Sequence, residues 1–232
     1  MLEVECRIRD GFSVLKGNIM SKVLYIKGNP KSTEHSFSLQ LGEGFLSAYR
    51  AAHPSSSVET LDLYDDYIPL LDADVFSAWG KFRGGQAGEL TAEEGRKIAR
   101  MNELQTQFLD ADRIILAAPI WNYGYPPMVK AYIDTAVVIA GKTFAYTDQG
   151  PVGLLKGKDI KVAVLESAGS FYSGTPMEGH MVWRHHIQGV LNYIGIQDIS
   201  FTAAEGMAVD PESAPALLEK ALSSARELAP TF

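Results

Sequence analysis

The sequence predicts an α/β fold, a doubly wound five-stranded parallel sheet in the order 2-1-3-4-5 with helices on both faces. Strand-like and helix-like segments alternate along the whole chain, and parallel strands require such crossover helices. The continuous apolar run of residues 23–26 is typical of a strand that is covered on both faces. Five strands in this alternation favour the order 2-1-3-4-5 over a six-stranded dinucleotide-binding sheet.

Each element has a local signature. The predicted strands cover residues 23–26, 58–63, 113–117, 161–165 and 199–202. The predicted helices cover residues 38–51, 91–109, 127–140, 180–194 and 211–228. In the first helix apolar residues recur at helical spacing, the second begins with a capping box at Thr91, and Pro126 and Pro127 open the third. Residues 144–150 indicate a hairpin, whereas the glycine-containing segment 64–90 is predicted to be irregular.

Composition sets the broad class of the protein. Of the 232 residues, 46% are hydrophobic and 21% charged, which is sufficient for a sizeable core and argues against disorder. A net charge of −7 argues against a nucleic-acid-binding surface. No apolar run approaches the roughly 20 residues that span a bilayer, so no membrane segment is predicted. The single cysteine, Cys6, excludes an internal disulfide and fits a reducing compartment, so we expect a cytoplasmic protein.

The first 19 residues differ from the rest of the chain. They carry scattered charges and lack the apolar region of a signal peptide. We expect residues 1–19 to be an extension and residues 20–232 to form one domain that starts at Met20. The alternating residues Leu2, Val4, Cys6 and Ile8 leave a short strand as the alternative for this segment.

Three loops, which follow the first, third and fourth strands, contain the candidate binding residues. In the predicted order these strands are neighbours, so residues 28–38, 118–126 and 166–174 should meet in one crevice at the carboxyl edge of the sheet. The first loop ends in Ser36, Phe37 and Ser38 at a helix start, where hydroxyl and N–H groups can bind a phosphate. The absence of a Gly-x-Gly-x-x-Gly or Walker A motif favours a terminal phosphomonoester. Alternatively, the serines act only as helix caps.

The second loop contains Ile120, Trp121, Asn122 and Tyr123. Aromatic rings beside an amide that both donates and accepts hydrogen bonds suit a flat ring with polar edges, such as a flavin. Burial in a core or an interface is the alternative for these aromatic residues. In the third loop Ser167, Ala168, Gly169 and Ser170 are small enough to let the backbone approach a ligand, or they form an ordinary flexible turn.

Together these motifs resemble the FMN-dependent NADH azoreductase and quinone reductase family, which has the flavodoxin-like fold. The resemblance extends from Met20 to Phe232 and includes the segments 72–80 and 146–155 and the Pro-x-Trp-Asn-aromatic motif that follows the third strand. The chain departs from the family in the third loop, where Ala168-Gly169-Ser170 replaces the usual Arg-Gly-Gly and removes a cation and a glycine.

The resemblance implies bound FMN, with NADH as the electron donor and a quinone or an aromatic azo compound as the acceptor. Residues 36–38 would hold the phosphate, residues 120–123 would line the flavin ring, and residues 167–170 would cover its pyrimidine end. Two electrons would pass in a ping-pong sequence through the cofactor, with reductive cleavage of azo bonds, and no side chain would act as a nucleophile. The resemblance also implies a homodimer with shared sites, to which residues 64–90 and 144–155 would contribute walls.

Two other functions are alternatives to this one. A flavodoxin-like electron carrier fits the same fold, although carriers are typically shorter and more acidic and lack such long insertions. A hydrolase is disfavoured because no Gly-x-Ser-x-Gly motif is present. A metal site is also disfavoured, since the adjacent His185 and His186 diverge by about 100° on a helix.

Overall fold

A computed structural model describes residues 20–232 of the chain. The proposed N-terminal extension, residues 1–19 with Cys6, lies outside the described residues. Within the described part, none of the helices combines the length and the apolar character that a bilayer span requires.

The central sheet has five parallel strands. They are β1 (Lys22–Lys27), β2 (Ser57–Asp62), β3 (Arg113–Pro119), β6 (Lys161–Ser167) and β7 (Asp198–Ala204). Their order is β2-β1-β3-β6-β7. The predicted order 2-1-3-4-5 is therefore confirmed. The two remaining strands, β4 (Phe144–Thr147) and β5 (Gly150–Gly153), form the antiparallel hairpin expected between the third and fourth strands of the sheet.

Within residues 20–232, six α-helices accompany the strands. They are α1 (Phe37–Ala52), α2 (Ala73–Arg83), α3 (Ala92–Asp110), α4 (Pro127–Tyr132), α5 (Val182–Ile194) and α6 (Ala214–Leu228). The helix predicted over residues 127–140 is shorter than expected. Regular α-helix stops at Tyr132 and gives way to a π-helical turn over Ile133–Val137.

The sheet separates two apolar cores. Alternate residues of a strand point to opposite faces, so Leu24 and Ile26 of β1 join one core while Val23 and Tyr25 join the other. The first core is covered by α3, α4 and α5, and the second by α1 and α6. Burial on both faces explains why the three central strands, β1, β3 and β6, are continuous apolar runs, whereas the edge strand β2 is largely exposed.

The prediction that residues 64–90 are irregular is wrong, because they contain α2. Asp72 caps this helix by accepting a hydrogen bond from the Val75 N–H at 3.2 Å. Lys97 of α3 holds the helix in place through ion pairs of 2.6 Å to both Asp72 and Asp74. Only Val75 and Ala78 of α2 are buried, so the helix lacks the apolar stripe that would have revealed it in the sequence.

A second polar contact between α2 and α3 makes stability depend on pH. Glu94 completes the capping box with Thr91, and its carboxylate lies 2.7 Å from Lys81 Nζ. The hydrogen bond from Lys81, with smaller contributions from Ser77 and the Thr91 N–H, lowers the pKa of this carboxyl group from 4.5 to about 2. A carboxyl group with a lowered pKa stabilises the fold above its unfolded-state pKa, and this contribution is lost as the pH falls toward the folded-state pKa.

We therefore expect Glu94→Gln to lower the free energy of unfolding at neutral pH, and the difference from the parent to shrink between pH 4.5 and about 2. Urea unfolding of both proteins at a series of pH values measures this difference in the free energy of unfolding. A difference that stays constant over that interval would contradict the assignment.

Candidate functional site

The three predicted loops lie at one edge of the sheet. Because β1, β3 and β6 are parallel neighbours, their carboxyl ends are side by side. The Gly28 N–H donates to the Ala117 carbonyl at 2.8 Å and links the first loop to β3. The Ile120 N–H donates to the Ser167 carbonyl at 2.8 Å and links the second loop to the third. The structure thus brings the three loops together in the crevice where open α/β sheets bind ligands.

The first loop forms a compact polar cluster at the start of α1. Ser36 is the N-cap residue, and its hydroxyl accepts a hydrogen bond from the Leu39 N–H. Asn29 donates to the same oxygen at 2.7 Å, and the Ser38 hydroxyl lies 3.1 Å from it. All three polar side chains are buried. Asn29 was missed in the sequence analysis, and its position directly after β1 is the signal that could have found it.

The first turn of α1 can donate further hydrogen bonds. Within residues 20–232, the Phe37 and Ser38 N–H groups have no acceptor. These groups lie at the positive end of a 16-residue helix, where the aligned peptide dipoles favour an anion. Lys31 and Ser32 are exposed nearby on the same loop. Donors of this kind fit a phosphate monoester.

The second loop is a tight turn held by a pair of hydrogen bonds. The Trp121 N–H donates to the Gly124 carbonyl at 2.8 Å, and the Gly124 N–H donates back to Trp121 at 3.0 Å. Asn122 and Tyr123 adopt φ values of 50° and 62°, a left-handed backbone that is rare for a residue other than glycine. Such conformations cluster at ligand sites. Trp121 and Tyr123 are 39% and 49% exposed, which leaves their rings available to a ligand.

The third loop is attached to the segment that follows β7. The Ala168 N–H donates to Ala204 at 2.9 Å, and the Ala208 N–H donates to Gly169 at 2.9 Å. Ser167 and Ala168 are buried, whereas Gly169 and Ser170 are exposed. Within residues 20–232 no acceptor contacts the Gly169 or Ser170 N–H. This loop therefore offers a ligand backbone donors and carries no cation at position 168.

Three aromatic residues connect the second and third loops. The ring of Tyr123 contacts that of Tyr172 edge-on at 6.2 Å between centroids, and Tyr172 contacts Trp183 edge-on at 5.0 Å. We call Tyr123, Tyr172 and Trp183 the aromatic wall. The sequence analysis did not single out Tyr172 or Trp183, because only the fold brings the start of α5 beside the turn.

A buried carboxylate lies beneath this wall. Glu166, near the end of β6, is 1% exposed. It accepts hydrogen bonds from the Tyr125 hydroxyl at 2.9 Å and the Trp183 indole at 3.2 Å, and the Arg184 Nε lies 2.5 Å away. Burial raises the pKa of Glu166, although Arg184 opposes the shift. In the described part of the chain, no group of three or more His, Cys, Asp or Glu residues is arranged to hold a metal ion.

The fold and the crevice together define a protein of the flavodoxin-like class. A family model described as "Flavodoxin-like fold" matches residues 21–229. An FMN-dependent NADH:quinone oxidoreductase from Bacillus cereus is 46% identical over 214 residues, which cover 92% of this chain and 100% of that protein. A relative of the same name from Geobacillus kaustophilus is 43% identical over the same share of both chains.

Solved structures agree with the sequence relatives. A crystal structure of an FMN-dependent NADH-azoreductase from Bacillus anthracis str. Ames Ancestor, described in complex with FMN, has a TM-score of 0.83 and 32% identity, over 90% of this chain and 98% of that one. The chain belongs to the family of FMN-dependent NADH:quinone oxidoreductases and azoreductases.

Proposed function

We propose that this protein is an FMN-dependent oxidoreductase that passes two electrons from NADH to quinones and aromatic azo compounds. The observation that carries the proposal is the meeting of a donor-rich helix N-terminus and an exposed aromatic turn at one sheet edge. The first suits the phosphate of FMN, and the second suits its ring. The named activities of the relatives favour an enzyme over the electron-carrier alternative. The use of NADH supports a cytoplasmic location.

The residues of the crevice fit FMN in three parts. Residues 36–38 would hold the phosphate through the Ser36 and Ser38 hydroxyls and the unpartnered N–H groups of α1. Residues 120–123 would line the ring, with the amide of Asn122 at its polar edge. Residues 167–170 would approach the pyrimidine end, where the Gly169 and Ser170 N–H groups would donate hydrogen bonds.

The protein's contribution to the reaction is orientation and electrostatics. Bound FMN supplies the chemistry of hydride acceptance and release. The backbone N–H groups of Tyr123, Gly169 and Ser170 would act as fixed dipoles that stabilise negative charge on the bound ring. The exposed rings of Trp121 and Tyr123 would give a flat acceptor a surface to stack on, and stacking would exclude water from that surface. No side chain is required as a nucleophile.

We also propose that the protein acts as a homodimer with sites shared between subunits. Apolar side chains on the hairpin and on α2 are unusually exposed, among them Tyr146 at 77%, Phe76 at 57% and Val152 at 44%. A second copy that covers them would bury apolar surface and place a hairpin against the partner's crevice. Size-exclusion chromatography with light scattering tests this proposal. An active, flavin-loaded monomer would contradict it.

Reconstitution with FMN tests the function directly. The purified protein should acquire flavin absorption bands and oxidise NADH with a quinone or an azo dye as the only acceptor, without a partner reductase. Product analysis should show the two amines released by azo cleavage, with two NADH consumed per azo bond, because each NADH supplies two electrons and full cleavage takes four. Flavin binding without NADH oxidation would instead favour the electron carrier, and failure to bind FMN would contradict both functions.

A further inference from the structure

Glu166 is the one buried carboxylate at the described crevice, and the reaction outlined above does not use it. Its side chain is surrounded by donors. Oε2 accepts from the Tyr125 hydroxyl and the Trp183 indole, and Oε1 lies 2.5 Å from both Nε and Nη2 of Arg184. A buried carboxylate is costly unless its oxygens are satisfied, and these contacts satisfy both oxygens. The donors come from two separate segments, the loop that follows β3 and the first turn of α5.

The two hydrogen bonds that Glu166 Oε2 accepts support both ends of the aromatic wall. Tyr125 lies two residues after Tyr123, so its hydrogen bond anchors the base of the left-handed turn. Trp183 is held by the same oxygen and contacts Tyr172, which in turn contacts Tyr123. Glu166 is thus connected to Tyr123 through Tyr125 and to Tyr172 through Trp183.

The contacts of Oε1 fix the third loop by a second route. Arg184 lies between Glu166 and Glu205, with its Nη2 3.7 Å from the Glu205 carboxylate. Glu205 accepts hydrogen bonds from the Tyr172 N–H at 2.8 Å and the Ser173 N–H at 2.9 Å. The backbone that carries Tyr172 is therefore held by Glu205, and Arg184 pairs with both Glu205 and Glu166 and so links this segment to the buried carboxylate.

We propose that Glu166 is a positioning residue that holds Tyr123 and Tyr172 in the orientation in which they would contact the flavin ring and a flat quinone or azo acceptor. The proposal rests on the proposed function. It assigns to Glu166 no contact with the substrate or the cofactor. It requires the carboxylate to act through Tyr125, Trp183 and Arg184, so the geometry of the wall should change when the carboxylate is replaced even if the fold does not.

The test compares Glu166→Gln with Tyr125→Phe. The glutamine keeps an acceptor for Tyr125 and Trp183 but places an NH₂ group against Arg184. We expect Glu166→Gln to raise the KM for a quinone about tenfold and the dissociation constant of FMN severalfold, with kcat changed less than KM. Tyr125→Phe removes one hydrogen bond and leaves the ring, so its effect should have the same direction and be smaller.

Near-ultraviolet circular dichroism of the flavin-free protein provides a readout that does not depend on activity. The aromatic signal should change in Glu166→Gln, which leaves every aromatic residue in place, while the far-ultraviolet spectrum stays the same. Tyr125→Phe removes a chromophore itself, so that variant is judged by its quinone KM and its FMN dissociation constant alone. Glu219→Gln is the matched control, because Glu219 forms an exposed 2.7 Å pair with Arg226 on α6, away from the crevice. It should leave every readout unchanged.

Three results would overturn the proposal. The first is a Glu166→Gln variant with the parental near-ultraviolet spectrum and quinone KM. The second is a Glu166→Gln variant whose yield of folded protein falls while the folded protein keeps the parental quinone KM and FMN dissociation constant. If Glu166→Gln does not fold, a Tyr125→Phe variant with the parental quinone KM and the parental FMN dissociation constant would be the third. If the parent protein itself binds no FMN, the proposed function fails, whereas the near-ultraviolet spectrum of flavin-free Glu166→Gln still decides the role of Glu166.

Discussion

Ser36→Asp should lower the affinity for FMN by about 100-fold or more and leave the affinity for riboflavin unchanged. An aspartate still caps α1 and can accept the hydrogen bonds from Asn29 and Leu39. It also places a carboxylate where the phosphate is expected. Two unit charges 4 Å apart near a protein surface interact by about 4 kcal/mol, so repulsion should outweigh the remaining donors. Riboflavin has the same ring and no phosphate. Fluorescence titration with both flavins measures the ratio of the two affinities.

The control for this experiment is Ser47→Asp, which adds the same charge on the exposed side of the same helix. It should retain the parental preference for FMN over riboflavin. Should Ser36→Asp weaken both flavins equally, the effect would come from a distorted loop. The assignment of residues 36–38 to the phosphate would then be wrong.

Gly153→Ala should destabilise the flavin-free protein by about 3 kcal/mol, the upper end of the usual cost of overpacking. A methyl group at this position of β5 would lie 2.4 Å from the Ile194 carbonyl carbon and 2.5 Å from the Gly195 nitrogen. Both are backbone atoms at the end of α5, so neither can move away by a change of rotamer, as a flexible side chain could. For a chain of this size the loss corresponds to a fall in melting temperature of roughly 6 to 12 °C.

Gly189→Ala provides the comparison, since a methyl group at this position of α5 meets no atom within 4 Å. Alanine is the better helix former, so this variant should be at least as stable as the parent. Thermal unfolding is best followed without FMN, because a bound ligand would add its own stabilisation. Equal melting temperatures for the two variants would show that the hairpin does not pack against α5 in this way.

The parts of the fold that were predicted correctly depend on local patterns. The strand order followed from apolar runs such as residues 23–26 and from their alternation with helices. The capping box at Thr91 marked the beginning of α3 to within one residue. By contrast, α2 is held by ion pairs from Lys97 to Asp72 and Asp74, and contacts with a residue so distant in the sequence leave no periodic signal.

In the candidate site, too, some residues stand in a local sequence pattern and others are brought in only by the fold. Ser36, Trp121 and Asn122 could be selected because each stands in a recognisable context beside a strand end or a helix start. Trp183 and Arg184 could not, since their importance comes from a contact with Glu166 that exists only once α5 packs against β6. The roles of residues 36–38, 120–123 and 167–170 toward FMN remain predictions that the experiments above address.

The left-handed turn at Asn122 and Tyr123 has a consequence for the kinetics of ligand capture. Its two reciprocal hydrogen bonds already fix the backbone in the folded protein. The conformational entropy of this turn is therefore lost during folding, and its loss does not reduce the affinity for a ligand. A flavin that reaches the crevice should meet a ring surface that is already assembled. Association should then follow a single exponential whose rate rises linearly with flavin concentration, without a slow ordering step that saturates.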